Sequence, residues 1–185
     1  MLTAIYVLLE EKNNIEVITI VDMQKRTIPS GEIDEKTALQ RAASLCSRQE
    51  CCVSEVEEKL WRWGQSADAQ ERIISYLIKE RYIDEARFCR AYSLDKMRYN
   101  HWGRVKISQA LRQLGVPDRA REDALRELPQ DEYADIVRRL AESKLPSIKA
   151  ASDYECRGKL TRFLLGRGFE LDIIQKICNF APDND

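Results

Sequence analysis

The chain has 185 residues, of which 33 % are charged and 44 % hydrophobic, and its formal net charge is −1. This composition excludes a wholly disordered chain, and the net charge alone demands no polyanionic partner. The distribution is uneven: residues 1–35 carry three bases and seven acids, whereas residues 36–182 carry 27 bases and 22 acids. Residues 36–182 therefore have a net charge of +5.

The N-terminal segment is predicted to form a β-hairpin extension over residues 1–30. Val, Ile, Thr and Tyr dominate residues 3–21, and Lys12-Asn13-Asn14 supplies the turn. Both strand faces are apolar, so a docked helix or a second copy of the chain is expected to cover them. The apolar run Ile5 to Leu9 is too short to cross a bilayer. With no export or membrane signal, the expected compartment is the cytoplasm.

From Asp34 onward the sequence is predicted to be helical. The apolar periodicity predicts nine helices, at about 35–47, 54–63, 68–80, 85–99, 104–114, 118–128, 131–143, 153–166 and 171–180. Three capping boxes are predicted at their starts, at Ser54 with Glu57, Asp68 with Glu71, and Ser152 with Glu155. Gly64 and Gly115 each follow an apolar stripe, as left-handed helix stops do.

The helices repeat in sets of three. Gly64, Gly115 and Gly168 are 51 and 53 residues apart, and leucine precedes each of them by four residues. Three copies of one pattern at a nearly constant period indicate a repeat array, with three unrelated helical hairpins as the alternative. The fold class is therefore all-α: three tandem three-helix repeats in an elongated array. Their limits are predicted at 34–84, 84–130 and 131–182.

The chain lacks the usual signatures of catalysis. It has no P-loop, no G-x-G-x-x-G and no G-x-S-x-G. The six cysteines form no C-x-x-C pair, and His101 is the one histidine, so reduced, partly buried thiols are expected rather than a zinc site. We predict no enzyme activity, no cofactor and no metal.

The most unusual segment is 87–112, with seven bases against one acid and aromatic rings interleaved. Bases at this density attract phosphates, and aromatic faces stack on unpaired bases. The alternative is that Tyr92 and Trp102 belong to the core and the bases form a solvated face. The predicted DNA or partner contacts, including a contribution from the third repeat, are Arg87, Arg90, Lys96, Arg98, Tyr99, Trp102, Arg104, Lys106, Arg112, Lys159, Arg162 and Arg167.

The third helix of each repeat argues against an operator-binding repressor. A major-groove reader places bases on its recognition helix. Here residues 66–80, 117–128 and 170–180 each have a net charge of −1. This pattern favours a protein that recognises shape or charge.

Several sequence segments resemble those of the RecX family of regulatory proteins. The resemblance covers about residues 35–180, in family order. It is carried by AASLCSR at 42–48, KERYIDEARF at 79–88, WGRVKI at 102–107 and GKLTRFLLGRGF at 158–169.

The resemblance implies three three-helix repeats and a regulatory role. Such proteins bind the RecA recombinase filament on single-stranded DNA and restrain its ATP hydrolysis, strand exchange and coprotease activity, which modulates recombination and the SOS DNA-repair response. A monomer is expected, with dimerisation and duplex binding left open. The competing hypotheses are a DNA-binding transcription regulator and a protein-only helical scaffold.

Overall fold

Nine α-helices form between residues 33 and 178, the part of the chain that the computed structural model describes. The predicted hairpin at 1–30 and the last residues of the predicted ninth helix lie outside the described residues. The helices are α1 Glu35–Arg48, α2 Val53–Arg62, α3 Ala67–Lys79, α4 Glu85–Asn100, α5 Arg104–Gln113, α6 Asp118–Arg126, α7 Gln130–Lys144, α8 Asp153–Gly166 and α9 Leu171–Ile177. One 3₁₀ turn, Leu145–Ser147, follows α7. The all-α prediction is confirmed.

The helices pack in three sets of three, α1–α3, α4–α6 and α7–α9, because the principal helix–helix contacts lie within each set. The middle helices α2, α5 and α8 carry the repeated leucines Leu60, Leu111 and Leu164, all fully buried. Each middle helix ends in a left-handed glycine, at φ 78° for Gly64, 72° for Gly115 and 86° for Gly168. The exact limits of the repeats stay a prediction.

At two of the predicted capping boxes the helix cap lies two residues earlier than predicted. Helix α2 begins at Val53, and the Glu55 carboxylate accepts from the Cys52 backbone N–H at 3.3 Å. Helix α3 begins at Ala67, with Ser66 as its cap. Ser54 does not cap because its hydroxyl donates to the Leu114 carbonyl, 2.8 Å away, in the next repeat.

The hydrophobic core has two parts. One lies in the first repeat, and the other extends without a break through the second and third repeats. Cys52, at the start of α2, belongs to the second part, so the first repeat also reaches into its neighbour. Among residues 33–178, no helix combines the length and apolar character that a membrane span requires.

Successive repeats are joined by the same geometry, in which the start of one middle helix meets the end of the next. At the first joint, Ser54 in α2 reaches Leu114 after α5. At the second, the Gly103 N–H donates to the Arg167 carbonyl at 2.8 Å, and the Val105 N–H donates to the Gly168 carbonyl at 3.0 Å. The positive end of one helix dipole thus faces the negative end of the next, which favours this arrangement.

Candidate nucleic-acid interface

Two lysines flank the indole ring of Trp102 where α4 ends and α5 begins. The Lys106 Nζ lies 4.7 Å from the ring centroid, and the Lys96 Nζ lies 5.3 Å from it. Lys96 also lies 5.0 Å from the centroid of Tyr92. Neither lysine pairs with an acid among the described residues, so both charges remain available to a ligand.

A second group of cations and one ring adjoins the first across the α5–α8 joint. The Arg167 guanidinium and the Lys144 Nζ each lie 5.3 Å from the centroid of Phe163. Arg167 also donates to the Asn100 carbonyl at 3.3 Å. The two groups meet at Gly168, whose added Cβ would lie 2.4 Å from the Lys106 Cβ.

We call the two groups together the junction surface: Lys96, Trp102, Lys106, Lys144, Phe163 and Arg167. It combines four cations with two half-buried rings. Tyr92 and Trp102 also pack against the core, so the two alternatives from the sequence coexist here: each ring is partly core and partly a platform for a lysine. Rings placed in this way hold the cations at the surface, where the cations can contact phosphates.

Four arginines of the basic segment are paired with acids instead. The pairs are Arg87 with Glu50 at 3.0 Å, Arg90 with Glu127 at 4.0 Å, Arg98 with Glu132 at 2.9 Å, and Arg104 with Glu170 at 3.0 Å. Hydrogen bonding from Arg98 lowers the pKa of the Glu132 carboxyl, as expected for an engaged pair. When these four acids are counted with segment 87–112, the net charge falls from +6 to +2.

Arg104 holds the joint together from inside. Its side chain is 17 % exposed, and its guanidinium lies 4.1 Å from the centroid of Tyr133. It donates to Glu170 at 3.0 Å, to Gln130 at 3.0 Å and to the Leu125 carbonyl at 3.1 Å. Its backbone N–H donates to the Tyr133 hydroxyl at 2.9 Å. Arg104 is therefore a positioning residue, and we leave it out of the contact surface.

The Tyr133 hydroxyl completes this network by donating to Glu170. Burial, and next the hydrogen bond to Glu170, raise the pKa of Tyr133, so the hydroxyl keeps its proton and its donor role at neutral pH. Tyr133 also meets Phe169 edge to face, with ring centroids 5.3 Å apart. The network fixes α5 against the third repeat, and with it the cations at the joint.

The other predicted contacts are dispersed. Tyr99 is 79 % exposed and lies one helical turn beyond Lys96. Arg112 is exposed and pairs with no acid among residues 33–178. Lys159 pairs with Glu155 at 2.7 Å. Arg162, also exposed, donates to the Gly158 carbonyl at 3.3 Å.

The structure therefore brings together four of the twelve predicted residues: Lys96, Trp102, Lys106 and Arg167. Sequence reasoning missed Lys144 and Phe163. Phe163 lies within one of the family segments, but only the fold shows that it is shared by Lys144 and Arg167, cations 23 residues apart in the sequence.

The cysteines behave as small apolar residues. All six are free thiols, and Cys46, Cys51, Cys52 and Cys89 are buried. Burial raises the pKa of Cys46 to about 12 and that of Cys89 to about 11, so both stay protonated at neutral pH. Within residues 33–178, no group of three histidine, cysteine or acidic side chains is placed to hold a metal ion.

Comparison with known proteins gives one consistent result. The family models for the second and third three-helix domains of RecX match residues 84–125 and 131–178. The regulatory protein RecX of Prosthecochloris aestuarii is 32 % identical over 77 % of this chain and 92 % of its own length. The regulatory protein RecX of Vibrio parahaemolyticus is 30 % identical over 87 % of this chain and 99 % of its own length.

The fold is also similar to a solved structure. The crystal structure of RecX from Lactobacillus salivarius superposes with a TM-score of 0.70 at 26 % identity. The match covers 78 % of this chain and 94 % of that one. The all-helical architecture is thus shared with this relative.

Proposed function

Because the chain belongs to the RecX family of regulatory proteins, we propose that it binds the RecA recombinase filament on single-stranded DNA. Bound there, it inhibits ATP hydrolysis, strand exchange and coprotease activity, and so modulates recombination and the SOS response. It acts as a monomer and carries no catalytic residues of its own. The relatives are named as regulatory proteins, which supports this reading.

The junction surface is the observation that carries the proposal. Lys96 and Lys106 lie against Trp102 without an acid partner among the described residues, and Arg167 with Lys144 extends the positive surface across the joint. Cations that neutralise phosphates release counterions, which favours binding to a nucleoprotein filament. The Arg104 network fixes the start of α5, which carries Lys106, against the third repeat, so this backbone is already ordered before binding.

Helix α6 argues against the transcription regulator. In the second repeat it occupies the place of a recognition helix, but two of its three arginines are engaged. Arg126 lies 2.9 Å from Asp123 and Arg121 is buried beside Asp118, whereas Arg119 is 95 % exposed and lies 3.9 Å from Asp123. A helix that reads base edges presents free donors to the major groove.

The proposal is tested by following RecA ATP hydrolysis on single-stranded DNA while this protein is added. We expect hydrolysis to fall as its concentration rises and the protein to co-sediment with the filaments. The protein alone, without RecA, is the control for contaminating ATPase. Unchanged hydrolysis together with no co-sedimentation would remove the proposal.

A further inference from the structure

A second cationic site lies in the first repeat, away from the residues of the junction surface. It is an open groove of about 610 Å³ between α1 and α2. Among the described residues its lining is Thr37, Gln40, Arg41, Ser44, Leu45 and Arg48 from α1, with Lys59 from α2 and Trp63 directly after α2. Three of these side chains are cations, and none is an acid.

Within residues 33–178, no acid pairs with the cations of this groove. Arg41 and Lys59 are exposed and lie in no ion pair with any residue between 33 and 178. Arg48 donates to the Ser44 carbonyl of its own helix at 3.2 Å and pairs with no acid among the described residues. By contrast, acids of the same two helices are engaged elsewhere: Glu58 with Arg62, and Glu35 with Arg72.

We infer that this groove binds single-stranded nucleic acid directly, with Arg41, Arg48 and Lys59 on phosphates and Trp63 against a base. Trp63 is half-buried: it packs against the core of the first repeat while lining the groove. A ring held in this way stacks on a base of any identity. The inference goes beyond the proposed function because it needs no recombinase.

The lining favours a nucleic-acid strand over an acidic peptide helix. An amphipathic helix binds by burying an apolar stripe, and Leu45 is the one aliphatic side chain among the described lining residues. Ser44 adds a hydroxyl that can donate to a phosphate oxygen, whereas the Thr37 hydroxyl already donates to the Asp34 carboxylate at 2.6 Å. Arg41 and Arg48 are two helical turns apart, about 10 Å along the axis, which is about three steps of a stacked strand at roughly 3.4 Å each.

The test measures binding of a fluorescein-labelled oligo(dT) to the full chain by anisotropy at several salt concentrations, without RecA. The variant combines Arg41→Ala with Lys59→Ala, both exposed and unpaired. Arg62→Ala on α2 is the matched control, since Arg62 is exposed but lies outside the groove and pairs with Glu58. Circular dichroism melts check that all three proteins fold alike.

We expect the double variant to bind more weakly and its salt slope to fall by about 1.4, since each phosphate contact on a single strand contributes about 0.7. The control should keep the wild-type slope. An unchanged slope in the double variant overturns the inference, and if a poly-glutamate peptide then binds the wild type but not the variant, the groove belongs to an acidic protein. An unchanged slope or binding of poly-glutamate would leave inhibition of RecA unaffected. Failure of this inference can therefore be distinguished from failure of the proposed function.

Discussion

Replacing Gly168 by alanine should destabilise the protein by about 1–3 kcal/mol more than replacing Gly115 by alanine. Both glycines adopt a left-handed conformation, at φ 86° and 72°, so both substitutions incur a similar strain of about 1–2 kcal/mol. The space around them differs. A Cβ on Gly168 would lie 2.5 Å from the Lys106 backbone nitrogen, whereas a Cβ on Gly115 would have nothing within 4 Å. Backbone overlap of this kind adds about 1–3 kcal/mol or more.

Urea unfolding monitored by circular dichroism measures both free energies of unfolding. Gly158→Ala is the control, because it lies within α8 with open space around its Cβ and should be neutral or stabilising by up to about 1 kcal/mol. Equal losses for Gly168→Ala and Gly115→Ala would mean that the α5–α8 joint is not closely packed.

Replacing Lys96 and Lys106 together by alanine should raise the concentration needed to inhibit RecA ATP hydrolysis about tenfold or more. A tenfold change corresponds to about 1.4 kcal/mol, which two phosphate contacts readily supply. The free energy of unfolding should fall by no more than about 1–2 kcal/mol, since each half-exposed lysine contributes about 0.5–1 kcal/mol through its ring contact. The ATPase assay with titrated protein measures the shift.

The matched control combines Lys79→Ala with Lys176→Ala, which removes the same charge from exposed positions on α3 and α9. This control should inhibit like the wild type. Equal loss of inhibition in both double variants would show that total charge matters and that the junction surface has no special role.

The repeat architecture was predictable because it rests on short-range patterns. Leu60, Leu111 and Leu164 recur four residues before a glycine, and the structure buries all three. A glycine after an apolar stripe is a common helix stop, so the role of Gly64 and Gly115 could be predicted without the fold. Helix starts were less predictable, since Ser54 had the right chemistry for a cap but uses its hydroxyl across a joint.

The candidate site was only partly predictable, because charge density in the sequence does not show which charges are paired. Arg87 and Arg98 meet acids 37 and 34 residues away, and Arg104 meets Glu170 66 residues away. Apolar periodicity contains no information about such pairs. Lys96 and Lys106 pair with no acid among residues 33–178, and only the fold distinguishes them from these three arginines.

Arg104 shows a further limit of prediction from the sequence, because its side chain is largely buried although its segment is strongly basic. In the sequence it lies in the densest basic segment and follows Trp102-Gly103, so a surface role was the natural prediction. Its burial depends on Tyr133 and Glu170, which belong to the third repeat. Repeat proteins place such residues at joints between units, where the sequence of one unit does not show what the next unit supplies.

Site-specific photo-crosslinking to RecA filaments on single-stranded DNA tests most directly whether the junction surface faces the filament. The photoreactive p-benzoylphenylalanine would replace Tyr99, which is 79 % exposed beside the surface, or Tyr154, which is 71 % exposed in the first turn of α8. Tyr154 is 13 residues before Arg167, about 20 Å along the helix. We predict crosslinks to RecA or its DNA from position 99 and few from position 154. Crosslinks from position 154 alone, in protein that still inhibits ATP hydrolysis, would contradict the account.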